Sequence, residues 1–448
     1  MRSAVVVGAG PNGLTAARVL AEAGLEVVVH EAAEEIGGGT PTAELTLPGY
    51  RHDVCSAIHP LAIASPVFRK LGLAVDWVEP PVQLAHPLDD GTAVAVERDA
   101  EATARRLGPD GRAYLALLEP FLRAWPRAAE LRLPFVSPGA LLAGLADARS
   151  LAESRFTGHA ARALFAGAAA HSFLPLERRP SAGFGIALLT LAHVAGWGFP
   201  RGGAQAIAAA LAEGLDVRTG SPVDELPRAD VVVADVMPRE LVRIARGRLP
   251  ARYERALLRY RHGPGAFKLD WALSAPIPWR AEECRRAGTV HLGGTLAEIS
   301  ASEWGAWSGR PSARPFVLLA QQSPFDPTRA PEGGHTAWAY CHVPNGWPGD
   351  LTGAIEEQVE RFAPGFRDTI LARSALGPSA LEAHDRNLVG GDVNGGVMDL
   401  GQLLFRPARR LVPYRTPLEG VYLCSSATPP GGGVHGLNGY AAARLASR

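Results

Sequence analysis

The sequence predicts an α/β protein, with a parallel β-sheet covered by helices and an inserted α+β region built on an antiparallel sheet. The first observation is a β-branched run at 5–7, followed by glycines and then by an apolar helical pattern. The second is an apolar run at 231–234, typical of a parallel strand with both faces covered. The third is a set of strand-like segments at 266–273, 315–322 and 335–343, which favours antiparallel strands.

The glycines after the first strand form the pattern G-x-G-x-x-G at Gly8, Gly10 and Gly13. Such glycines allow a tight turn, a close approach of backbone to pyrophosphate, and close packing of helix on strand. Pro11 and Asn12 lie at the start of the helix, where open N–H groups and the helix dipole favour phosphates.

The second strand of this unit, at 26–30, ends at Glu31. This acid lies roughly twenty residues after the glycines, where a carboxylate accepts hydrogen bonds from a ribose 2′-OH. Strand, glycines, helix, strand and acid in this order predict a Rossmann-like domain that binds a dinucleotide. The motif alone does not separate flavin from nicotinamide.

A second glycine doublet, Gly37-Gly38, follows the acid and is itself followed by Gly39 and Thr40; Gly38, Gly39 and Thr40 are candidate cofactor contacts. Here the chain resembles the flavoprotein superfamily of amine oxidases and phytoene desaturases, including members named for a pyridine-nucleotide-disulfide oxidoreductase domain. The resemblance implies non-covalently bound FAD, with this doublet close to the flavin side of the pyrophosphate. The superfamily usually has Arg after the doublet, where this sequence has Gly39.

The segment 420–446 has a strand at 421–424, a Gly/Pro loop and a closing helix from about Gly436. Phytoene-desaturase-like members end in this way, which implies a helix N-terminus pointing at the flavin pyrimidine ring. A helix N-terminus stabilises the negative charge of reduced flavin. The FAD contacts predicted in this segment are Ser425, Gly433, His435, Gly436 and Leu437.

Two further segments carry implied cofactor contacts. A Pro-x-Gly-Gly turn at 200–203 precedes a helix and a strand, on which Val223 is expected to contact adenine through its backbone. The loop 50–60 occupies the place where superfamily members pass the flavin ring. Ser56 is a candidate contact there and His59 a candidate acid/base group, with a plain packed loop as the alternative.

The chain contains two lysines, Lys70 and Lys268, against forty-three arginines. A buried lysine can lose its proton whereas arginine cannot, so a lysine is informative in such a chain. Lys268 lies in the strand that carries a lysine near flavin N5 in amine oxidases. The resemblance implies a role in proton relay or in the reaction of reduced flavin with oxygen. The alternative is a strand lysine with its ammonium group in solvent.

Trp338, Tyr340 and His342 alternate along one strand and therefore share one face. We predict that this face lines the substrate cavity with aromatic rings. Core packing is the alternative.

Composition limits the other classes of function. The net charge is zero, so no basic excess favours nucleic acid. The four cysteines are scattered, which argues against a disulfide framework, a metal site or a dithiol centre and favours a cytoplasmic protein. A strand that begins at Ser3 leaves no room for a signal peptide. Residues 181–200 contain no Asp, Glu, Lys or Arg; a buried helix is favoured over a bilayer span, and peripheral membrane contact stays open.

The domains are expected to be discontinuous. A FAD-binding domain is predicted over 1–75, 197–245 and 380–448, and a substrate domain over 76–196 and 246–379. The first piece of the substrate domain predicts helices, among them one at 112–125.

The leading hypothesis is an FAD-dependent oxidoreductase that removes two hydrogens from a C–C or C–N bond of a small or medium apolar substrate. The electron acceptor (oxygen or a quinone-like molecule) and the oligomeric state stay open. A redox-neutral flavin-dependent isomerase and a non-catalytic FAD-containing interaction protein are the alternatives.

Overall fold

The computed structural model describes residues 2–131 and 136–448. The strands in these ranges are β1 (Ser3–Val7), β2 (Glu26–His30), β3 (Thr42–Ala43), β4 (His52–Asp53), β5 (Trp77–Val78), β6 (Leu84–Pro87), β7 (Ala93–Val96), β8 (Phe199–Pro200), β9 (Asp216–Arg218), β10 (Val231–Ala234), β11 (Gly265–Leu273), β12 (Thr289–Leu292), β13 (Val317–Ala320), β14 (His335–Val343), β15 (Ile370–Leu376) and β16 (Val421–Leu423).

The α-helices are α1 (Pro11–Glu22), α2 (Pro60–Ile63), α3 (Pro66–Lys70), α4 (Ala100–Arg106), α5 (Gly111–Ala128), α6 (Pro138–Gly144), α7 (Ala148–Arg155), α8 (His159–Ala170), α9 (Ser181–Val194), α10 (Gln205–Ala212), α11 (Pro238–Ala245), α12 (Ala251–Leu258), α13 (Glu282–Arg285), α14 (Leu296–Ser308), α15 (Thr352–Phe362), α16 (Pro378–His384), α17 (Leu400–Phe405) and α18 (Leu437–Ala446). Short 3₁₀ helices lie at Gly108–Asp110, Pro327–Arg329, Arg367–Thr369 and Val389–Gly391.

The first sheet is parallel, with the order β16-β10-β1-β2-β9. Helices α1, α10 and α18 pack on one face, and α11 and α12 pack on the other. Every residue of β10 is buried, as expected for a strand covered on both faces. The Rossmann-like part of the predicted fold is confirmed.

Helix α1 begins at the carboxyl end of β1, with Gly10 as its N-cap and Pro11 at its first position. Proline suits this position because it has no N–H group to leave unpaired. Helix α18 packs directly on the start of α1. A Cβ atom on Gly439 would overlap the main-chain oxygen of Asn12, so the approach requires glycine there.

The second sheet has the order β15-β11-β14-β13-β12-β6-β7 and is antiparallel except for the parallel pair β12 and β6. The sequence predicted only helices for 76–196, and this was wrong, because β5, β6 and β7 come from that segment. Strands β6 and β7 form a hairpin whose turn contains Asp90 and Gly91, with Gly91 at φ +87°. An Asp-Gly pair between apolar runs is a hairpin signal.

The two faces of the second sheet differ in chemistry. One face packs with α15 into an apolar core that includes Leu269, Trp271 and Ala339. The other face carries Lys268, which lies opposite Tyr340 across one strand pair. Tyr340 in turn lies opposite Leu318, so the three side chains form one row across the sheet.

The apolar segment at 181–200 forms helix α9, which ends at Val194 and packs on α8, while Phe199 and Pro200 form β8. The buried-helix interpretation is confirmed. Within residues 2–131 and 136–448, no helix combines the length and the apolar character that crossing a bilayer requires.

Several other expected elements are present. The helix predicted at 112–125 lies within α5, and the closing helix begins one residue after Gly436.

The strand expected to carry Val223 is not present. Strand β9 ends at Arg218, and Pro222, which has no N–H group, precedes the valine. Strands of the first sheet come from all three segments assigned to the FAD-binding domain, whose boundaries stay a prediction.

Candidate functional site

A cavity of about 840 Å³ is lined by residues from both sheets. Its nucleotide half is lined by Gly8, Gly10, Pro11, Asn12, Glu31, Gly38, Gly39, Thr40, Val223, Asp235, Ser425 and Gly433. Its sheet half is lined by Cys55, Ser56, His59, His171, Trp197, Lys268, Thr289, Leu318, Trp338 and Tyr340. Most of the residues predicted from sequence are therefore brought together around one space.

The nucleotide half is built on two glycine loops that touch. A Cβ atom on Gly38 would lie 3.1 Å from the Cα of Gly10, and one on Gly10 would lie 3.1 Å from a carboxylate oxygen of Asp235. Side chains at these positions would fill the space between the loops, so bare backbone faces the cavity. Gly39 differs, because no atom lies within 4 Å of the position its Cβ would take.

Gly13 does not line the cavity. A Cβ atom there would overlap the carbonyl oxygen of Gly8, and its N–H donates to Asp235 Oδ2 at 2.8 Å. Gly13 therefore sets the packing of helix α1 on strand β1.

Glu31 lies at the cavity wall, at the carboxyl end of β2. Its Oε2 accepts a hydrogen bond from the Ala9 N–H at 2.7 Å, and its Oε1 accepts one from the Ala33 N–H at 2.9 Å. The two bonds fix the carboxylate in place, and each oxygen keeps a lone pair for a further donor.

Sequence reasoning missed two acids beside Glu31. Asp235 lies at the carboxyl end of β10, and burial raises its pKa to about 7, with Asp385 and Glu31 nearby acting in the same direction. Burial also raises the pKa of Asp385, which lines the same cavity. Asp235 could have been found, because it follows a buried strand just as Glu31 does.

The loop before α2 places three groups at the cavity. Ser56 Oγ lies 3.0 Å from His59 Nε2, and His59 Nδ1 has no hydrogen-bond partner. Burial lowers the pKa of His59 to about 4, so its imidazole is neutral at neutral pH. Burial raises the pKa of the Cys55 thiol to about 12.

Lys268 is buried, which contradicts the alternative of a solvated strand lysine. Its ammonium group forms an ion pair with Asp270 and lies 5.9 Å from the ring centroid of Trp338. Burial raises the pKa of Asp270 to about 6, against the opposing effect of Lys268.

Trp338 and Tyr340 line the cavity, but His342 does not, which corrects that part of the prediction. Phe173 covers His342, with ring centroids 3.8 Å apart, and His342 Nδ1 bonds to Glu303 Oε2 at 2.6 Å. The predicted alternation of side chains along β14 is correct, but the ring of Phe173, which is distant in sequence, covers His342.

His435, Gly436 and Leu437 do not line the cavity either. The Leu437 N–H donates to His435 Nδ1 at 3.1 Å, and the His435 carbonyl accepts from Ser65 Oγ at 2.7 Å. The first N–H of the closing helix is thus taken by the protein's own side chain. Ser425, Ser426, Gly433 and Val434 line the cavity from this segment instead.

His171 was not predicted from sequence. Its Nε2 lies 3.1 Å from Nε2 of His291, 120 residues away, and burial lowers the pKa of His171 to about 3. His171 therefore places a neutral, polar imidazole in the sheet half of the cavity.

The fold and the cavity are typical of proteins with a Rossmann-like dinucleotide-binding domain. In such a protein a glycine-lined cradle lies at the carboxyl ends of a parallel sheet, and here a second sheet lies across from it. Residues 6–71 match the family described as NAD(P)-binding Rossmann-like domain.

Whole-chain similarity is more specific. The chain is 26% identical to mouse Pyridine nucleotide-disulfide oxidoreductase domain-containing protein 2, over 99% of this chain and 93% of the mouse protein. Among solved structures, an oxidoreductase from Methanosarcina mazei is 18% identical with a TM-score of 0.67, covering 99% of each chain. A putrescine oxidase is 17% identical with a TM-score of 0.65, covering 100% of this chain and 97% of the oxidase. The solved structures show the fold, and the homologue and these structural neighbours are oxidoreductases. The expected resemblance is confirmed.

Proposed function

We propose that this protein binds FAD non-covalently and dehydrogenates a C–C or C–N bond of a small or medium apolar substrate. The observation that carries the proposal is one cavity that joins a glycine cradle and a ribose-type acid to a buried lysine and an aromatic wall. When bound, FAD supplies the hydride acceptor for such a reaction.

The residues of the nucleotide half fit the cofactor. Gly10 and Gly38 leave backbone where a diphosphate needs close approach, and helix α1 begins without a side-chain cap. Glu31 is fixed where it can accept ribose hydroxyl hydrogens, and the buried Oδ1 of Asn12 has no hydrogen-bond partner. A half-buried Val223 at the same wall fits the expected adenine contact.

The sheet half supports an apolar substrate. Trp338, Tyr340 and Leu318 present apolar surface, and the aromatic rings of the first two lie 5.1 Å apart. Lys268 and neutral His59 face the same space and are the groups that we assign to proton transfer. The putrescine oxidase named above acts on an amine, which keeps a C–N bond within the proposal.

Two other functions would use the same site. A redox-neutral isomerase would need FAD in reduced form without net turnover, and an interaction protein would keep FAD for stability alone. Bleaching of the flavin by substrate supports the dehydrogenase. A requirement for prior reduction supports the isomerase, and failure of any substrate to reduce the flavin, with a stable protein partner, supports the third.

The first experiment is to photoreduce the purified yellow protein without air and mix it with oxygenated buffer in a stopped-flow instrument. Rapid return of the visible flavin band identifies oxygen as the acceptor and predicts hydrogen peroxide as product. Slow return directs the search to quinone-like acceptors. A colourless protein that does not take up added FAD overturns the proposal.

We also propose that the protein is cytoplasmic and touches anionic membranes peripherally. Leu404, Phe405 and Leu411 are exposed, and the Arg409 guanidinium lies 4.9 Å from the ring centroid of Phe405. Exposed apolar side chains among arginines suit an anionic lipid surface. We expect binding to vesicles with phosphatidylserine but not to neutral ones, and loss of binding in Phe405→Ser/Leu411→Ser. Equal recovery with neutral vesicles would contradict this.

A further inference from the structure

Behind Lys268 the structure places a line of polar groups that leads away from the cavity. Asp270 lies two residues further along β11, on the same face, and pairs with Lys268 through Oδ2. His52 of β4 lies next, with Nδ1 3.6 Å from Asp270 Oδ1. Beyond it, His52 Nε2 lies 2.8 Å from the hydroxyl of Thr46.

Burial changes sharply along this line. Lys268, Asp270 and His52 are each no more than 2% exposed. Thr46 is half-buried, on a loop whose neighbouring Pro48 is exposed. The line therefore runs from the cavity wall, through the protein interior, to a residue within reach of solvent.

The buried carboxylate of Asp53, which lies next to His52 in the sequence, is a useful comparison because both of its oxygens have hydrogen-bond partners, as a structural carboxylate requires. Asp53 Oδ1 accepts from Thr42 Oγ1 and from the Ala204 N–H, each at 2.8 Å. Its Oδ2 accepts from Arg329 at 3.0 Å and from Gln322 at 3.3 Å. Asp270 differs, because within residues 2–131 and 136–448 its buried Oδ1 has no hydrogen-bond partner, and it lies 3.6 Å from Nδ1 of His52. An unsatisfied buried acceptor is costly and calls for an explanation.

We propose that Lys268, Asp270, His52 and Thr46 form a proton path between the cavity and solvent. The proposal rests on the proposed function. Oxidation of a substrate removes one hydrogen with both bonding electrons, as hydride to FAD, and the other as a proton that must leave the cavity.

Each transfer along the path breaks one bond to hydrogen and forms another. The proton passes from the Lys268 ammonium to Asp270 Oδ2, and rotation of the carboxyl group about its Cβ–Cγ bond brings it to the His52 side. It then passes to His52 Nδ1, while His52 Nε2–H releases its own proton to Thr46 and solvent. A neutral imidazole accepts at one nitrogen while it releases from the other, so no imidazolium has to persist.

The electrostatics support this assignment. Burial lowers the pKa of His52 to about 3, assisted by Lys268 and Arg329 and opposed by Asp53, so the ring is neutral. Burial raises the pKa of Asp270 to about 6; Lys268 opposes this shift and Asp53 adds to it. With this pKa the carboxyl group can hold a proton briefly near neutral pH. The Cys55 thiol also senses Lys268, which lowers its pKa, and Asp270, which raises it, although burial has the larger effect.

The test uses the FAD-loaded protein, photoreduced without substrate and then reoxidised, with proton uptake followed by an indicator dye beside the flavin band. Reoxidation of the reduced flavin by oxygen consumes one proton, which would enter by the same path in the reverse direction, so in the wild-type protein the two signals are expected to coincide. His52→Ala is expected to slow proton uptake about 10-fold or more, and imidazole in the buffer is expected to restore it in proportion to its concentration. Thr46→Val, a milder change, should slow it less.

His86→Ala is the matched control, since His86 is as buried as His52 but bonds to the Gly294 carbonyl, away from this line. It should leave proton uptake unchanged and unresponsive to imidazole. Unchanged uptake in His52→Ala, or slowing that imidazole does not relieve, overturns the path.

A second readout needs neither substrate nor cofactor. Infrared titration of the protein should show a carboxyl band with a midpoint near the Asp270 pKa of about 6, absent in Asp270→Asn and shifted in His52→Ala. Absence of that band in the wild-type protein also overturns the path. Because light reduces the flavin, a protein that oxidises no substrate disproves the proposed function while the path remains testable.

Discussion

The two halves of the cavity are built in different ways. The nucleotide half is made mainly of backbone, with glycines that approach one another and an acid held by two N–H groups. The sheet half is made of side chains set in rows by the register of neighbouring strands, such as Lys268, Tyr340 and Leu318. A side chain added where the glycine loops touch would displace the backbone. In a row of side chains, one residue can be replaced by another of similar size without disturbing the sheet.

The largest effect is expected in the nucleotide half, from Gly13→Ala. The new methyl group would overlap the Gly8 carbonyl oxygen and push α1 off β1, so we expect no FAD to be retained. Flavin absorbance after purification measures this. Gly353→Ala in α15 is the control, because its methyl group would enter open space, the residue does not line the cavity, and FAD binding should stay intact. Equal FAD content in both variants would show that the close packing of Gly13 on Gly8 is not required for the nucleotide half to bind FAD.

A smaller and different effect is expected in the sheet half, from Lys268→Met combined with Asp270→Asn. The double change avoids leaving a buried carboxylate without its partner. We expect flavin reoxidation to slow on the order of 10-fold while FAD affinity stays unchanged, since neither residue belongs to the nucleotide half. Stopped-flow absorbance and an FAD titration check the two quantities. A matching loss of FAD affinity would show that the halves are not separable.

The smallest effect is expected from Asp235→Asn and appears as a pH dependence of stability. Because burial raises the pKa of Asp235 to about 7 from an ordinary 3.8, the folded protein keeps a proton that the unfolded chain has lost. Stability should therefore fall as the pH rises from about 4 to about 7, and the asparagine variant should lose less over that interval. The amide oxygen still accepts from the Gly13 N–H. Melting temperatures at pH 5 and pH 8 test this, and an identical decrease in both proteins would rule it out.

The same contrast explains how much the sequence could predict. Gly8, Gly10 and Glu31, which line the cavity, lie within one short segment whose spacing is typical of a dinucleotide-binding unit, so pattern alone predicted that they would lie together. Three strands of the second sheet, β11, β13 and β14, and the face shared by Trp338 and Tyr340 also followed, because alternation is a local property.

What escaped prediction depends on distant segments. The His171–His291 pair joins residues 120 positions apart, and no local pattern marks it. His342 lies on the predicted face of its strand, yet Phe173, which follows the end of helix α8, covers its ring. Capture of the Leu437 N–H by the His435 side chain is a choice of rotamer, which spacing cannot reveal.

The packing of α18 on α1 has a consequence for how the protein is made. Helix α1 is synthesised long before part of its covering: the apolar side chains of Ala442 and Ala443 in α18, which help to cover it, are added more than 400 residues later. Strand β1 likewise waits for β10. Part of the apolar surface of α1 therefore lacks its native covering until residues 437–446 have been synthesised, and the nucleotide half can reach its complete native packing only then.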